Sequence, residues 1–155
     1  AGMAAALTAC LDDMADEAAR RWGLTRRLRE GLGSIPRVQL HGHPTQRVPH
    51  LACFSVDAVD AEILAMALDE RGFRLSVGSN CSGAPGEPSP ILEQMGIPNT
   101  ASFRLGVGRE TGSEDVEALI EVLPGLIQEL RAVEEAAEAA MARFRPSPED
   151  PSAPV

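Results

Sequence analysis

Cys81 lies in the stretch SVGSNCSGAPGEPSPIL, residues 76–92, where most of its neighbours are Gly, Ser and Pro. A buried structural cysteine usually lies on an apolar face, whereas these neighbours favour a solvated loop. An exposed thiol is a potential nucleophile, but no cation that could activate it stands directly beside Cys81 in the sequence. The residues alone therefore leave two interpretations open, a reactive thiol or an incidental loop residue.

Histidine and cysteine side chains that could bind a metal occur close together before the middle of the chain. His41 and His43 are two positions apart, which on a strand places both imidazoles on one face, and His50 and Cys53 follow. These residues lie in an irregular segment that contains proline and offers no clear second ligand pair. We therefore expect polar loop residues here and no metal site.

Arg104 lies in a predicted strand and Arg109 lies just after it. From the residues alone, each could be an outward-facing side chain or form an ion pair with one of the 23 acidic residues. We expect Cys53 to be a core residue of a strand and Cys10 to lie on a helix face. The segment GVGRETG, residues 106–112, lacks the lysine and the glycine spacing of a phosphate-binding loop.

All 14 basic residues are arginines, so the chain contains no lysine. A mechanism that needs a Schiff-base amine therefore cannot be completed by this chain alone.

The composition is that of one globular domain with a hydrophobic core. The 155 residues are 44% hydrophobic and 24% charged, and the net charge of -9 disfavours nucleic acids and anionic membranes as partners. No stretch approaches the roughly 20 apolar residues that span a bilayer. The three cysteines form neither a disulfide framework nor a metal-binding pair, so we expect a cytoplasmic protein whose partners are small molecules or basic protein surfaces.

The first half of the chain predicts two helices and three strands. Residues 3–32 carry acids early and arginines late, which favours one long helix with a packing stripe at Leu7, Leu11, Met14, Ala18, Trp22 and Leu28. The segments RVQLHG and PHLACFSV predict two strands, and FRLSV predicts a third. Between the second and third strands, Asp60 is the expected N-cap of a helix that ends at Gly72.

The second half predicts a short helix ILEQM, a fourth strand ASFRLGVG and a long acidic helix. Thr111 and Glu114 match a capping box for the long helix, and Pro124 should kink or divide it. Its apolar positions follow the helical period at Val116, Leu119, Ile120, Leu123, Ile127, Leu130 and Val133. Residues 113–143 hold eight acids and two arginines, which predicts a solvated face or, alternatively, a docking surface for a basic partner.

These elements predict an α+β fold, with a small mixed or mostly antiparallel sheet and helices packed on one face. We expect one domain over residues 1–144, with a linking helix at 1–33 and a core at 34–144. Residues 145–155 have the Pro, Ser and acid content of a disordered tail.

Four segments together resemble the C-terminal small domain of the cysteine desulfurases, enzymes of the class V aminotransferase group that depend on pyridoxal phosphate. The segments are RVPHLACFSV, DAEILAMALDERGFRLSVGSNC, EPSPILEQMG and SFRLGVGRET, and the resemblance covers roughly residues 3–135. It is most specific in the loop GSNCSGAPGEPSPIL, which keeps the spacing of the desulfurases with a long catalytic loop. The resemblance implies the small-domain fold of fold-type I pyridoxal phosphate enzymes.

The resemblance also implies roles for two residues. Cys81 matches the nucleophile that takes sulfur from L-cysteine, becomes a persulfide and releases L-alanine. Arg104 matches the arginine that binds the substrate carboxylate, a role that suits the bidentate geometry of a guanidinium and a carboxylate. For Arg104 and for Arg109, a carboxylate contact and an ion pair within the chain both stay open. The residues that hold pyridoxal phosphate, including its lysine, belong to a large domain outside this sequence, which agrees with the absence of lysine.

The resemblance further implies a homodimer that passes sulfur to an acceptor protein, for iron–sulfur cluster assembly, tRNA thiolation or another sulfur pathway. This chain departs from the family at Asn80, which precedes Cys81 where Ala is more usual, whereas Ser82 after Cys81 is one of the usual residues. We expect a fragment or excised domain that is inactive alone. The alternatives are a non-catalytic persulfide carrier or interaction module, and the small domain of another class V aminotransferase or lyase.

Overall fold

Four antiparallel strands form one sheet in the computed structural model, which describes residues 2–77, 94–97 and 101–144. The strands are β1 (Val38–His41), β2 (Leu51–Val56), β3 (Ser76–Val77) and β4 (Ala101–Gly106). Their order in the sheet is β1-β2-β4-β3, and each neighbouring pair is antiparallel. The predicted α+β fold is confirmed, and the described sheet is antiparallel throughout.

Of the four described helices, two pack against one face of this sheet and the last helix packs on both of them. They are α1 (Gly2–Asp12), α2 (Met14–Gly33), α3 (Ala61–Asp69) and α4 (Ser113–Phe144). Helix α2 contacts β1 and β2, α3 contacts β3 and β4, and α4 packs on both α2 and α3. The sheet thus has one face that is covered by α2 and α3.

The hydrophobic core lies between the sheet and these helices. Successive strand residues point to opposite faces, so Ala52, Phe54 and Val56 enter the core from one strand. Phe54 stacks on Phe103 of β4, with ring centroids 5.3 Å apart. The helices contribute buried apolar side chains at Leu28, Leu32, Leu64, Leu68, Val116, Leu119, Leu123, Leu126 and Ile127.

The prediction of one helix over residues 3–32 is wrong at Asp13, where α1 ends and α2 begins. Asp13 has φ -112° and ψ 8°, outside the helical region, and its carboxylate accepts two hydrogen bonds from Arg109. The expected packing stripe fails in the same region, because Leu7, Leu11 and Met14 are each more than half exposed. Of α1 and α2, only α2 contributes buried side chains to the core.

Helix α3 begins and ends as the sequence predicts. The Asp60 carboxylate accepts hydrogen bonds from the backbone N–H groups of Glu62 and Ile63, each at 2.9 Å, and so caps the helix. Gly72 follows the helix with φ 84°, a left-handed conformation that favours glycine.

The N-cap of helix α4 lies one residue after Thr111, the N-cap of the predicted capping box. The Asp115 carboxylate accepts a hydrogen bond from the N–H of Gly112 at 2.8 Å, which makes Gly112 the N-cap. The Thr111 hydroxyl instead accepts from the N–H of Gly108 at 3.0 Å. The Thr111 and Glu114 box is therefore wrong by one position.

Helix α4 also continues through Pro124 rather than dividing there. Proline removes one helical hydrogen bond, but buried Leu123, Leu126 and Ile127 hold both sides of this turn against the core. Val133 does not extend the packing stripe, because its side chain is 66% exposed.

The third strand is shorter than predicted, since β3 spans only Ser76 and Val77. Most of the predicted short helix ILEQM and the predicted tail at 145–155 lie outside the described residues. Among the helices of the described ranges, none is long and apolar enough to cross a lipid bilayer.

Candidate functional site

A row of four side chains crosses the sheet on the face opposite the hydrophobic core. His41 of β1 lies opposite Cys53 of β2, Cys53 lies opposite Arg104 of β4, and Arg104 lies opposite Ser76 of β3. Residues directly opposite each other in a ladder share a face of the sheet. Their neighbours along each strand, such as Phe54 and Phe103, point into the core. The fold therefore brings a guanidinium, a thiol, an imidazole and a hydroxyl into one line.

Arg104 is held in the middle of this row by its own strand. The residues on either side of it, Phe103 and Leu105, are buried in the core and fix the orientation of β4. The Arg104 side chain is half-buried, and no carboxylate of the described residues lies within ion-pair distance of it. The backbone of Arg104 is thus held in place, and among the described residues no acid pairs with its guanidinium, which could bind an anion.

Cys53 lies beside Arg104 and not in the hydrophobic core, so the expectation of a core cysteine is wrong. Its side chain is half-buried on the opposite face of β2. Burial raises the pKa of the Cys53 thiol, and the positive charges of Arg104 and Arg29 oppose this effect. A raised pKa keeps the thiol protonated near neutral pH, which does not suit a nucleophile.

His41 is buried and paired with a hydroxyl. Its Nε2 atom lies 2.9 Å from the Oγ atom of Ser55, which is also buried. Burial, and then the positive charge of Arg29, lowers the pKa of His41. The neutral imidazole is therefore favoured at this position.

The histidines do not share a strand face, because β1 ends at His41 and His43 lies in the following turn. His43 Nδ1 accepts hydrogen bonds from the backbone N–H groups of Thr45 at 3.2 Å and Gln46 at 2.8 Å. Over the described ranges, no group of three His, Cys, Asp or Glu side chains is arranged to hold a metal ion.

Arg109 forms an ion pair with Asp13, in which Nη1 and Nη2 donate to the two carboxylate oxygens at 2.5 and 2.7 Å. These hydrogen bonds raise the pKa of Arg109 and lower that of Asp13. Arg20 secures the same loop by donating to the carbonyl oxygens of Gly108, Arg109 and Thr111. Of the two interpretations of Arg109, the structure supports the ion pair.

Cys10 lies on helix α1, as predicted, and its side chain is exposed. Cys81 lies outside the described residues. Its predicted role as nucleophile therefore stays a prediction, and the structure gives no distance between Cys81 and Arg104.

A second group of cationic side chains was not predicted: Arg47 stacks on Trp22, and Arg29 donates to the carbonyl oxygen of His41 at the end of β1. A signal was present in the charge pattern. Residues 31–56 contain no acidic residue, although they include Arg37, Arg47 and all three histidines of a chain with 23 acids. Stretches without acids in an acidic protein are candidates for anion binding.

The family model described as "Aminotransferase class-V" matches residues 1–119 of the chain. Cysteine desulfurase IscS of Methanosarcina thermophila is 40% identical over 111 residues, which are 70% of this chain and 28% of that protein. Cysteine desulfurase IscS 1 of Archaeoglobus fulgidus is 33% identical over 135 residues, 85% of this chain and 35% of that protein. The chain thus spans about a third of the length of these relatives.

The fold is also shared with solved structures. The cysteine desulfurase CsdA from Escherichia coli superposes with a TM-score of 0.69 at 22% identity, over 83% of this chain and 30% of that chain. This likeness shows the fold, and the sequence matches confirm the resemblance to cysteine desulfurases.

Proposed function

Because the chain belongs to the aminotransferase class-V family, we propose that it is the small domain of a cysteine desulfurase that depends on pyridoxal phosphate. The reaction converts L-cysteine to L-alanine and leaves a persulfide on Cys81. The observation that carries this proposal is Arg104, a half-buried arginine on the polar sheet face with no carboxylate partner among the described residues. The names of the relatives support the same reaction.

In this proposal Arg104 binds the carboxylate of L-cysteine. A guanidinium presents two parallel N–H donors that match the two oxygens of a carboxylate. The core packing of Phe103 and Leu105 holds the strand, so little motion is lost when the substrate binds. Cys53 lies opposite and stays a neutral thiol, which does not compete for the guanidinium as a carboxylate would.

Cys81 is the proposed sulfur acceptor. Its thiolate attacks the sulfur atom of the substrate, and a new S–S bond forms as the Cβ–S bond of the substrate breaks. The electron pair of the broken bond stays with the carbon skeleton, which takes up a proton at Cβ and leaves as L-alanine. The products are L-alanine and one persulfide on Cys81, so atoms and electrons balance without an external oxidant.

The residues of this chain do not fit the cofactor itself, since a covalent bond to pyridoxal phosphate needs a lysine and the chain has none. Pyridoxal phosphate supplies an electron sink when it is bound. In our proposal a large domain outside this sequence holds the cofactor and its lysine. The complete enzyme is a homodimer that passes the persulfide sulfur to an acceptor protein of a sulfur pathway such as iron–sulfur cluster assembly.

A chimera tests this function. The present chain replaces the segment that it matches in the Methanosarcina thermophila relative, and cofactor loading is verified by absorbance before any assay. We expect L-alanine from L-cysteine and, by peptide mass spectrometry, one added sulfur atom on Cys81. Cys81→Ala should abolish both. Arg104→Gln should raise KM for L-cysteine by about tenfold or more, since a charge-assisted hydrogen bond is lost.

Arg26→Gln is the matched control, because Arg26 is exposed on α2, the helix that covers the sheet face opposite Arg104. It should leave KM unchanged. Turnover of L-cysteine that survives Cys81→Ala would favour another class V aminotransferase or lyase. A loaded but inactive chimera, together with sulfur transfer from the native relative to Cys81 of the free chain, would favour the persulfide carrier.

A further inference from the structure

Three side chains on one face of α2 lie along the loop that joins β1 to β2. The Arg47 guanidinium of this loop stacks over the ring of Trp22, with Cζ 4.3 Å from the ring centroid. One turn along the helix, the Thr25 hydroxyl donates to the carbonyl oxygen of Pro49 at 2.5 Å. A further turn along, Arg29 Nη1 donates to the carbonyl oxygen of His41 at 3.1 Å. The 3–4 residue spacing places Arg29 and Trp22 on the face that also receives Arg47.

Among the described residues, no acid compensates the charges of Arg29 and Arg47. Neither forms an ion pair with a described carboxylate, and residues 31–56 supply no acid at all. Arg47 Nη1 is buried without a hydrogen-bond partner among the described residues, and Arg47 Nε has only a long bond of 3.4 Å to the carbonyl oxygen of Pro44. A buried guanidinium N–H without an acceptor is unfavourable unless a ligand supplies one.

We propose that Arg47, assisted by Arg29, forms a binding site for a carboxylate group. The stack on Trp22 holds the Arg47 guanidinium plane in place, and the buried Nη1 atom is the donor for which a carboxylate oxygen would supply the acceptor. Burial lowers the pKa of Arg47, and the positive charge of Arg29 adds to this effect. A bound carboxylate gives Arg47 Nη1 an acceptor and offsets the repulsion between Arg47 and Arg29.

Three backbone donors of the loop next to the Arg47 guanidinium are already used, which favours a carboxylate over a phosphate. The N–H groups of Thr45 and Gln46 donate to His43 Nδ1, and the N–H of Arg47 donates to the carbonyl oxygen of Thr45. A phosphate site normally draws on several backbone N–H groups. Here the guanidinium edges are the remaining donors, and they match a planar group with two oxygens.

The site takes a carboxylate from either a small free acid or the side chain of Asp or Glu in a polypeptide. Trp22 reports on both, since it is the single tryptophan of a chain without tyrosine. We would titrate the chain with propionate and with N-acetyl-glutamate amide, at constant ionic strength set with chloride, and follow Trp22 fluorescence. Saturation with propionate indicates a free acid as the ligand, and saturation with the blocked glutamate alone indicates a polypeptide side chain.

Arg47→Gln should weaken the binding of whichever compound saturates the wild type by about tenfold or more, since a charged hydrogen-bond partner is lost. Arg26→Gln is the matched control, because Arg26 is exposed on α2 and has no hydrogen bond or ion pair to another described residue; its titration should not change. If Arg47→Gln fails to fold by circular dichroism, Arg47→Lys keeps the charge but removes the paired donors and should weaken binding similarly. Three results overturn the proposal: no saturation with either compound, tighter binding of inorganic phosphate than of both, or equal binding by the folded Arg47 variant.

Discussion

Cys53 lies directly opposite Arg104 in the ladder between β2 and β4, on the sheet face away from the core. The guanidinium opposes the effect of burial on the thiol, so the two side chains are electrostatically coupled. This coupling makes Cys53 an internal reporter of the charge at the proposed carboxylate contact.

Alkylation of Cys53 should depend on Arg104. Burial raises the Cys53 pKa above 9.0, so iodoacetamide should label exposed Cys10 before Cys53 at neutral pH. Arg104→Gln removes a positive charge that lowers the Cys53 pKa and should slow labelling further. The rates are read for each cysteine peptide by mass spectrometry across a pH series.

Arg26→Gln serves as the control, since Arg26 lies on α2 and not in the sheet. Cys53 labelling that is as fast as Cys10 labelling, or that Arg104→Gln leaves unchanged, would contradict the coupling.

Elements set by local residues could be predicted from the sequence. Asp60 and Gly72 bound α3 through contacts within a few residues, and the apolar segments of β2 and β4 were long enough to identify. The break at Asp13 could not be predicted, because it involves Arg109, 96 residues away. Cys53 was assigned to the wrong face because LACFSV is apolar at nearly every position, so its alternation gives no clear inner and outer side.

In the candidate site, too, features set by a local motif could be predicted and features set by distant contacts could not. Arg104 was identified through a resemblance carried by a contiguous motif, and its place in the row with His41 and Cys53 depends on strand pairing. The contact between Arg47 and Trp22 joins a loop to a helix, and neither residue carries a motif. Only the absence of acids over residues 31–56 pointed to this region.

The two candidate caps of α4 can be distinguished by mutation. Asp115→Ala removes the acceptor of the Gly112 N–H and should lower the free energy of unfolding by about 1 kcal/mol. Glu114→Ala removes the acid of the predicted box and should cost less, since Glu114 accepts no backbone N–H among the described residues. Urea unfolding of both variants provides the comparison. A larger loss for Glu114→Ala would restore the box at Thr111.

Gly31 is required by the packing of α2 on α4. A Cβ atom at Gly31 would lie 2.6 Å from two side-chain carbons of Ile120, closer than packed carbons allow. Gly31→Ala should therefore lower the free energy of unfolding by about 1–3 kcal/mol, despite the better helix propensity of alanine. The measurement is the midpoint and slope of urea unfolding.

Gly23 in the same helix is the matched control, because nothing lies within 4 Å of a Cβ atom at that position. Gly23→Ala should raise the free energy of unfolding by about 0.5–1 kcal/mol through helix propensity. The two Gly→Ala substitutions are thus expected to change the free energy of unfolding in opposite directions. If both stabilise the protein, the close contact between Gly31 and Ile120 is not present in solution.

The burial of His41 makes stability depend on pH in a defined window. Its pKa lies below the ordinary value of 6.5, so the unfolded chain binds a proton that the folded chain resists. Above pH 6.5, His41 should have no effect on the pH dependence of the free energy of unfolding. It should fall as the pH drops below 6.5 toward the folded pKa, by at most about 1.4 kcal/mol per pH unit.

Acidic groups whose pKa is lowered in the folded chain also reduce the free energy of unfolding in acid. They do so only at pH values near and below 4.5, the ordinary pKa of glutamate. They are Asp13, Glu17, Asp57 and Glu117. The slope between 6.5 and 4.5 is therefore assigned to His41 by comparing urea unfolding of the wild type with His41→Gln. His50→Gln is the control and should keep the wild-type slope. A slope that persists in His41→Gln would mean that His41 is not the group that titrates.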